Sequence, residues 1–294
     1  MAPLLAVPNV SEGRDAEKID ELAVAFTQGL TLLDRHSDAD HHRTVFTLAG
    51  DRAAVLEGLV SGAAAAIDLI DLSDHGGAHP RIGALDVCPV VWVSEEQEGT
   101  ARTMAKAVGE QIGALGVPVF LYGALARTPA REERSYFRSG GPLELARRME
   151  SGEVAPDFGP KMPHPSAGAT LVTARSPLAA FNVELDTPDA HVAREIARRL
   201  RESGGGLEGV RALGLALSSG RAQVTTNIHD PFAVPLRVVV ERVRVLAAEH
   251  GARPVEAELV GLIPQGALEG YPEDVPIRGF DPGRDVIENR LAAL

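Results

Sequence analysis

A short loop between residues 74 and 86 holds the densest group of side chains that can do chemistry. Its sequence, DHGGAHPRIGALD, contains two histidines, His75 and His79, with one arginine and two aspartates among three glycines and one proline. Histidine is the side chain best suited to exchange protons near neutral pH, and glycine lets the backbone approach a ligand closely. These residue types favour general acid–base catalysis in this loop.

Two other interpretations of the same loop stay open. The spacing of His75 and His79 resembles that of a two-histidine metal pair, but such a pair needs a helix to place both rings on one face. The Gly76-Gly77 pair disfavours a helix at this point. The alternative without a function is a polar turn whose histidines hydrogen-bond to buried backbone groups.

Three further polar segments lie next to predicted strands. Residues 34–43 (DRHSDADHHR) are strongly charged, which a solvent-exposed loop would also explain. Residues 9–14 (NVSEGR) follow a strand and have the composition of an anion contact. Residues 223–230 alternate, so that Gln223 and Asn227 share one face, where side-chain amides can hydrogen-bond to a planar heterocycle. A row that faces solvent explains this last pattern equally well.

The composition restricts the classes of protein to which the chain can belong. Its 294 residues include 29 lysines and arginines against 41 aspartates and glutamates, a net charge of −12. This excess of negative charge disfavours sequence-independent binding to nucleic acids or anionic membranes. The single cysteine, Cys88, excludes a disulfide within the chain and a multi-cysteine metal cluster. Neither a signal peptide nor an apolar stretch of about 20 residues is present, so we expect a cytoplasmic protein.

The hydrophobic periodicity predicts the order β-α-β-β-α-β in both halves of the chain. In the first half the strands are predicted at 4–10, 30–34, 44–48 and 84–93, and the helices at 16–29 and from Gly50-Asp51 onward. In the second half the strands are predicted at 181–185, 210–217, 222–228 and 255–262, and the helices at 188–203 (with Thr187 as N-cap) and 234–250. The proline-rich segment 150–168 predicts an ordered linker, which gives domains 1–168 and 169–294.

Several of these segments together resemble the glutamate formiminotransferase family. The loop at 75–86, of the HxGxHPRIGALDV type, is specific, and the other matching segments occur in family order. Those segments are 7–14, 40–45, 117–122, 156–160, 168–182, 204–207, 223–230 and 260–264. The chain ends where the transferase part of the bifunctional formiminotransferase–cyclodeaminase ends, so no cyclodeaminase is expected.

The resemblance implies an α/β (α+β) fold of two βαββαβ-type subdomains. Their sheets are expected to face each other across a folate-binding cleft, with the helices outside. The implied reaction transfers the formimino group of N-formimino-L-glutamate to N5 of tetrahydrofolate, in histidine degradation and one-carbon metabolism. Tetrahydrofolate is then a co-substrate, and no metal is expected.

The resemblance also implies roles for individual residues. It places the catalytic histidine of the family on His79, and arginines suit substrate carboxylates because a guanidinium matches a carboxylate with two hydrogen bonds. The arginines expected to bind substrate are Arg43, Arg81 and Arg175. The remaining polar candidates are Asn9 and Asn182 for the substrate and Gln223, Asn227 and Asp230 for the folate.

The family pattern is not met at one position. Family members often carry Asp-x-Asp before the Arg-Thr-Val strand; here Asp34 matches the first aspartate, but His36 stands at the second. We therefore count His36 among the catalytic candidates, with Asp38 or Asp40 as substitutes for the acid. A carboxylate beside His79 would raise its pKa, whereas a second histidine would tend to lower it.

Other functions stay open on the sequence alone. One is a related folate enzyme that uses formylglutamate or 5-formyltetrahydrofolate, another is a non-catalytic folate-binding protein, and a third is a metal-dependent hydrolase. We expect small-molecule substrates and neither nucleic acid nor membrane as a partner. The oligomeric state is open, with a homodimer as one option.

Overall fold

The computed structural model describes residues 3–76 and 79–294, and the chain divides into two compact units. The N-terminal unit is Met1–Ser176 and the C-terminal unit is Pro177–Leu294. The sequence places the boundary near 168, before a strand at Thr170–Arg175 that is part of the sheet of the N-terminal unit.

The N-terminal unit is built on a seven-stranded mixed sheet in the order β3-β4-β1/β2-β5-β7-β6. β1 and β2 share one position between β4 and β5, because Val7 and Pro8 interrupt the strand and proline has no N–H to donate. β7 pairs in parallel with β5 and β6, and the other pairings are antiparallel. The strands are β1 (Leu4–Ala6), β2 (Asn9–Val10), β3 (Thr31–Asp38), β4 (Arg43–Gly50), β5 (Leu85–Val91), β6 (Val119–Leu121) and β7 (Thr170–Arg175).

Helices cover both faces of this sheet. Three long helices enclose the main core, where Phe26, Phe46 and Leu59 are fully buried. Two short helices enclose a second core that includes Phe120, Phe137 and Leu171. The long helices are α1 (Ala16–Phe26), α2 (Arg52–Leu69) and α3 (Glu98–Ala114), and the short ones are α4 (Arg134–Arg138) and α5 (Gly141–Glu150). Single 3₁₀ turns occur at Leu72–Asp74, Glu95–Gln97, Gly123–Leu125 and Pro129–Arg131.

The C-terminal unit has a four-stranded antiparallel sheet in the order β11-β8-β10-β9. Its two long helices cover one face, on which Phe181, Val183 and Val224 are buried. Side chains such as those of Asn182 and Gln223 alternate with these apolar residues, so they belong to the opposite face. The strands are β8 (Ala179–Leu185), β9 (Val210–Ala216), β10 (Ala222–Ile228) and β11 (Pro254–Leu259), and the helices are α6 (Ala190–Leu200), α7 (Leu236–Ala248), α8 (Pro282–Asp285) and α9 (Ile287–Ala292), with 3₁₀ turns at Glu202–Gly204 and Gln265–Leu268.

The predicted order β-α-β-β-α-β is confirmed in both units. In the N-terminal unit it is extended by β6 and β7, which the sequence analysis did not predict. α2 begins where expected, and Asp51 caps it, since its side chain accepts the N–H of Ala54. No helix in the described ranges is long and apolar enough to cross a lipid bilayer.

Two local predictions are wrong. The charged segment from residue 34 is not a loop, because β3 continues to Asp38 and pairs with β4 along its length. The predicted N-cap at Thr187 is also incorrect. Asp189 caps α6 by accepting the N–H of His191, while Thr187 accepts the N–H of Asp189.

Candidate active site

The turn between β3 and β4, residues 39–42, carries two histidines. Asp38 begins the turn, and its Oδ1 accepts the backbone N–H of His41 at 2.8 Å, a hydrogen bond that aspartate commonly makes in turns. The turn ends at His42, whose φ of 52° lies in the left-handed region. The ring of His41 thereby folds back onto Asp38, with Nδ1 2.8 Å from Oδ2.

The carboxylate of Asp38 is ionised across the neutral pH range. Burial alone would raise the pKa of Asp38. Hydrogen bonds from the side chain and backbone of His41, together with the charges of His41 and His36, outweigh burial and lower this pKa to about 2. His36 itself lies in β3 opposite Val45.

The predicted anion contact at residues 9–14 holds this turn in place. A Cβ on Gly13 would lie 2.2 Å from the carbonyl oxygen of Asp38 and 2.5 Å from the amide nitrogen of Arg43, so the close approach requires glycine. The carboxylate of Glu12 accepts the N–H groups of Gly13, Arg14 and Asp15 at 2.9, 2.8 and 3.1 Å. These amides are therefore occupied by the chain's own carboxylate.

His79 lies half-buried against Arg43, the first residue of β4. Arg43 Nη1 is 2.8 Å from His79 Nε2. Because a guanidinium can only donate, Nε2 accepts, and the imidazole is neutral with its proton on Nδ1. Burial lowers the pKa of His79 well below its usual value, and the charges of Arg43, Arg138 and Arg134 lower it further.

The short helix α4 brings two arginines to the same place. Phe137 anchors this helix in the second core, with its ring centroid 4.9 Å from that of Phe120. Arg138 forms an ion pair with Asp86, whose other oxygen accepts the N–H of Ile82 at 2.7 Å. Arg134 lies close enough to Arg43 for its charge to lower the pKa of that residue.

Three arginines of the N-terminal unit form no ion pair with a described residue. Within residues 3–76 and 79–294, no carboxylate lies at ion-pair distance from Arg43, Arg134 or Arg175. Burial lowers the pKa of Arg43 to about 9 and that of Arg175 to about 10, and neighbouring guanidinium charges contribute in both cases. Burial likewise lowers the pKa of Arg134. Cations removed from water without a partner are costly, so this group favours an anionic ligand.

Two predicted substrate contacts make hydrogen bonds within the chain. Arg81 donates from Nη2 to the carbonyl oxygen of His75 and, at 3.5 Å, from Nη1 to that of His79, which ties the ends of the loop together. Asn9 Nδ2 donates to the carbonyl oxygen of Val7 at 2.7 Å.

The second histidine of the loop belongs to a different contact. The ring of His75 stacks on that of His42, with centroids 4.1 Å apart and planes inclined by 21°. Burial, then the charges of Arg81 and His42, lower the pKa of His75 to about 4. Gly77 and Ala78 lie outside the described residues. The sequence predicts no helix at the Gly76-Gly77 pair, and Gly76, the described member of the pair, is not helical.

The predicted folate contacts lie on the C-terminal unit. Asn182 and Gln223 converge on one carboxylate oxygen, Glu258 Oε2, to which their amides donate at 3.1 and 3.4 Å. Asn227 follows on the same face of β10. Asp230 is used differently, because its Oδ1 accepts the N–H groups of Phe232 and Ala233 and so begins a turn.

Sequence reasoning missed several residues of this arrangement. Arg134 and Arg138 lie about 90 residues from β4, and nothing in their spacing indicates that α4 folds beside Arg43. In the sequence, His41 is one residue of a charged segment and does not stand out. Its place three residues after an aspartate, in a turn, is the signal that could have singled it out.

Comparison with known proteins gives the family. The profile "Formiminotransferase domain, N-terminal subdomain" matches residues 4–175, and the profile "Formiminotransferase domain" matches residues 180–270. The glutamate formimidoyltransferase of Streptococcus pyogenes serotype M1 is 37% identical over 290 residues, 97% of each chain. That of Thermoplasma acidophilum is 33% identical over 298 residues, 99% of this chain and 98% of the relative.

A longer relative matches over part of its length. The formimidoyltransferase-cyclodeaminase of Sus scrofa is 42% identical over 272 residues, which are 89% of this chain and 50% of the relative. This chain therefore spans about half the length of that protein. The profiles cover most of both units, and the two nearly full-length relatives exceed 30% identity. The chain belongs to the formiminotransferase family.

Proposed function

We propose that the protein transfers the formimino group of N-formimino-L-glutamate to N5 of tetrahydrofolate, with His79 as the general base. The products are glutamate and 5-formiminotetrahydrofolate. Membership of the formiminotransferase family supports the type of reaction. The observation that carries the assignment to this site is a neutral His79 near Arg43 and Arg134, two arginines without an ion-pair partner among the described residues.

The chemistry needs a base that is neutral at working pH. N5 of the folate attacks the amidine-type carbon of the donor and must lose its proton. A neutral imidazole can accept that proton, and positioned proton transfer typically contributes about 10²–10⁴-fold in rate. The low pKa of His79 keeps it neutral before substrate arrives.

The donor supplies the counter-charge that the arginines lack. Formiminoglutamate has two carboxylates, and Arg43, Arg134 and Arg175 are the cations proposed to bind them. A carboxylate on Arg43 would draw its guanidinium from His79 Nε2 and offset the charges that depress the pKa of His79. Donor binding would thus make His79 a stronger base.

The polar face of the sheet in the C-terminal unit is proposed to bind the folate. Asn182, Gln223 and Asn227 present amides there, and a pterin ring offers both donors and acceptors along its edge. Tetrahydrofolate is the co-substrate, and no step of this scheme requires a metal. The reaction belongs to histidine degradation and one-carbon metabolism, and we place it in the cytoplasm.

A turnover assay with purified protein and tetrahydrofolate tests the proposal. Formiminoglutamate and formylglutamate are compared as donors, and His79→Ala is compared with the exposed-site control His191→Ala. We expect rapid transfer from the formimino donor in the wild type and the control. His79→Ala should lose transfer while its affinity for folate stays within about tenfold.

Other results would overturn specific parts of the proposal. Faster transfer from formylglutamate would replace the donor. Folate binding without transfer from either donor would replace the enzyme with a folate-binding protein. A His79→Ala variant that keeps most of its activity would remove His79 from the reaction.

A further inference from the structure

The pair formed by Asp38 and His41 lies beside His79 and has no role in the scheme above. We propose that His41, held by Asp38, is a second catalytic residue that gives a proton to the departing glutamate nitrogen. This inference rests on the proposed formimino transfer.

The position of His41 is fixed at two points. Asp38 accepts the backbone N–H of His41 through Oδ1 and contacts the ring Nδ1 through Oδ2, each at 2.8 Å. The hydrogen bond at Nδ1 directs that nitrogen away from substrate and leaves Nε2 as the atom for proton transfer. No residue in the described ranges is seen to hydrogen-bond to His41 Nε2.

The distance between the two rings suits a shared reacting centre. The ring centroids of His41 and His79 are 6.3 Å apart, and the planes are inclined by 54°, so the rings are near each other without stacking. In the tetrahedral intermediate, N5 and the glutamate nitrogen are bonded to the same carbon. Hydrogen bonds of about 3 Å from the two rings to these two nitrogens are compatible with a separation of this size.

The two imidazoles have opposite electrostatic surroundings. His79 faces the guanidinium of Arg43, which disfavours a positive charge on its ring. His41 faces an ionised carboxylate, which can balance a positive charge on its ring. The contact with Arg43 suits His79 to accept a proton, and the contact of Nδ1 with Asp38 leaves Nε2 of His41 as the atom that can hand one on.

The resulting step is balanced. The bond from N5 to the formimino carbon forms, and N5 loses its proton to His79 Nε2. The bond from that carbon to the glutamate nitrogen then breaks, and this nitrogen gains a proton from His41 Nε2. One proton leaves the folate and one reaches glutamate, so transfer of a proton from His79 to His41 restores the starting state.

Chemical rescue distinguishes this role from a merely structural one. Turnover and folate binding are measured for His41→Ala with and without added imidazole, for His41→Gln, and for the control His42→Asn in the same turn. Asparagine tolerates the left-handed backbone of position 42 and retains an acceptor for the N–H of Gly13. We expect kcat of His41→Ala to fall about 10²-fold or more with KM within about threefold, and imidazole to restore part of it.

The variant His41→Gln tests whether His41 acts only by holding the turn through its contact with Asp38. His41→Gln keeps a side chain that can donate to Asp38 but cannot carry a proton to substrate, so it should be as slow as His41→Ala. Normal turnover in either variant, or a loss that imidazole does not relieve, overturns the role of His41 alone. A wild-type protein that transfers nothing from formiminoglutamate overturns the proposed function, and the role of His41 with it.

Discussion

The two units contain arginine groups that differ in their counter-charges. In the C-terminal unit, Arg278 donates to Glu184 and Glu256, and Arg221 lies 3.1 Å from Glu184. The hydrogen bonds to Glu256 and Glu184 raise the pKa of Arg278 above its usual value. In the N-terminal unit, burial and neighbouring cations instead lower the pKa of Arg43 to about 9.

This difference distinguishes arginines that stabilise the folded chain from arginines that are available to bind an anionic ligand. Glu184 is 2% exposed, and its paired arginines compensate a carboxylate that would otherwise be buried alone. Arg134 and Arg175 form no ion pair within the described residues, so removing them should cost little stability.

The largest expected effect is on activity. Arg134→Met should lower kcat/KM for formiminoglutamate about 10²-fold or more, because a carboxylate of the donor would lose its guanidinium partner. Its free energy of unfolding should be unchanged or higher, since an uncompensated cation is replaced by an apolar side chain. Steady-state kinetics measures kcat/KM, and urea unfolding measures the free energy of unfolding. The control is Arg52→Met, at an exposed position. A clear loss of stability without a change in kcat/KM would reverse the assignment.

The matched change in the C-terminal unit should act on stability. Arg278→Met removes one of the two partners of the buried Glu184 and should lower the free energy of unfolding by about 1–3 kcal/mol. Urea unfolding should therefore give a lower free energy of unfolding for Arg278→Met than for the wild type, and an unchanged or higher one for Arg134→Met. Equal stability of the two variants would contradict the comparison.

A dicarboxylate without a formimino group should stabilise the N-terminal unit. Glutarate has two carboxylates and cannot react, so its binding to the three arginines should raise Tm. At ten times its Kd, the stabilisation is about 1.4 kcal/mol. Thermal unfolding of the wild type is measured with glutarate and with the monocarboxylate butyrate, and that of the variant Arg134→Met with glutarate. An equal rise of Tm in these three experiments would indicate a nonspecific effect.

The smallest effect concerns acid pH, which adds a positive charge at His75, close to Arg81. The pKa of His75 is lowered to about 4, so the unfolded chain binds this proton more readily than the folded chain. The stability that His75 contributes is full above about pH 6.5, its ordinary pKa, and is lost as pH falls toward about 4. Urea unfolding at several pH values should show a smaller loss in His75→Asn than in the wild type. Identical pH profiles would remove His75 as a cause.

The sequence predicts the order of elements well where strands and helices face a core. β10 and α2 show the periodicity of half-buried elements, and both are found where expected. β3 was predicted too short because Asp34, His36 and Asp38 share a strand with no apolar alternation at its end. Strands that line a site break the pattern from which strands are predicted.

Local sequence could not predict how the site is assembled. Residue types single out the loop at His79, and a family motif singles out Arg43. Arg134 approaches them only because Phe137 anchors α4 in the second core, a contact between residues distant in sequence. Which arginines keep a carboxylate partner is likewise decided by such distant contacts.

The position of β7 in its sheet has a consequence for the order in which the chain folds. β7 lies between β5 and β6, yet it follows β6 by about 50 residues in the chain. During synthesis β6 must therefore wait for residues 170–175 before it can join the ladder. Parallel pairings between distant segments form slowly. Closure of this sheet is thus a late event during synthesis. Variants that weaken β7 should increase aggregation of the nascent chain at a degree of weakening that leaves the stability of the folded protein little changed.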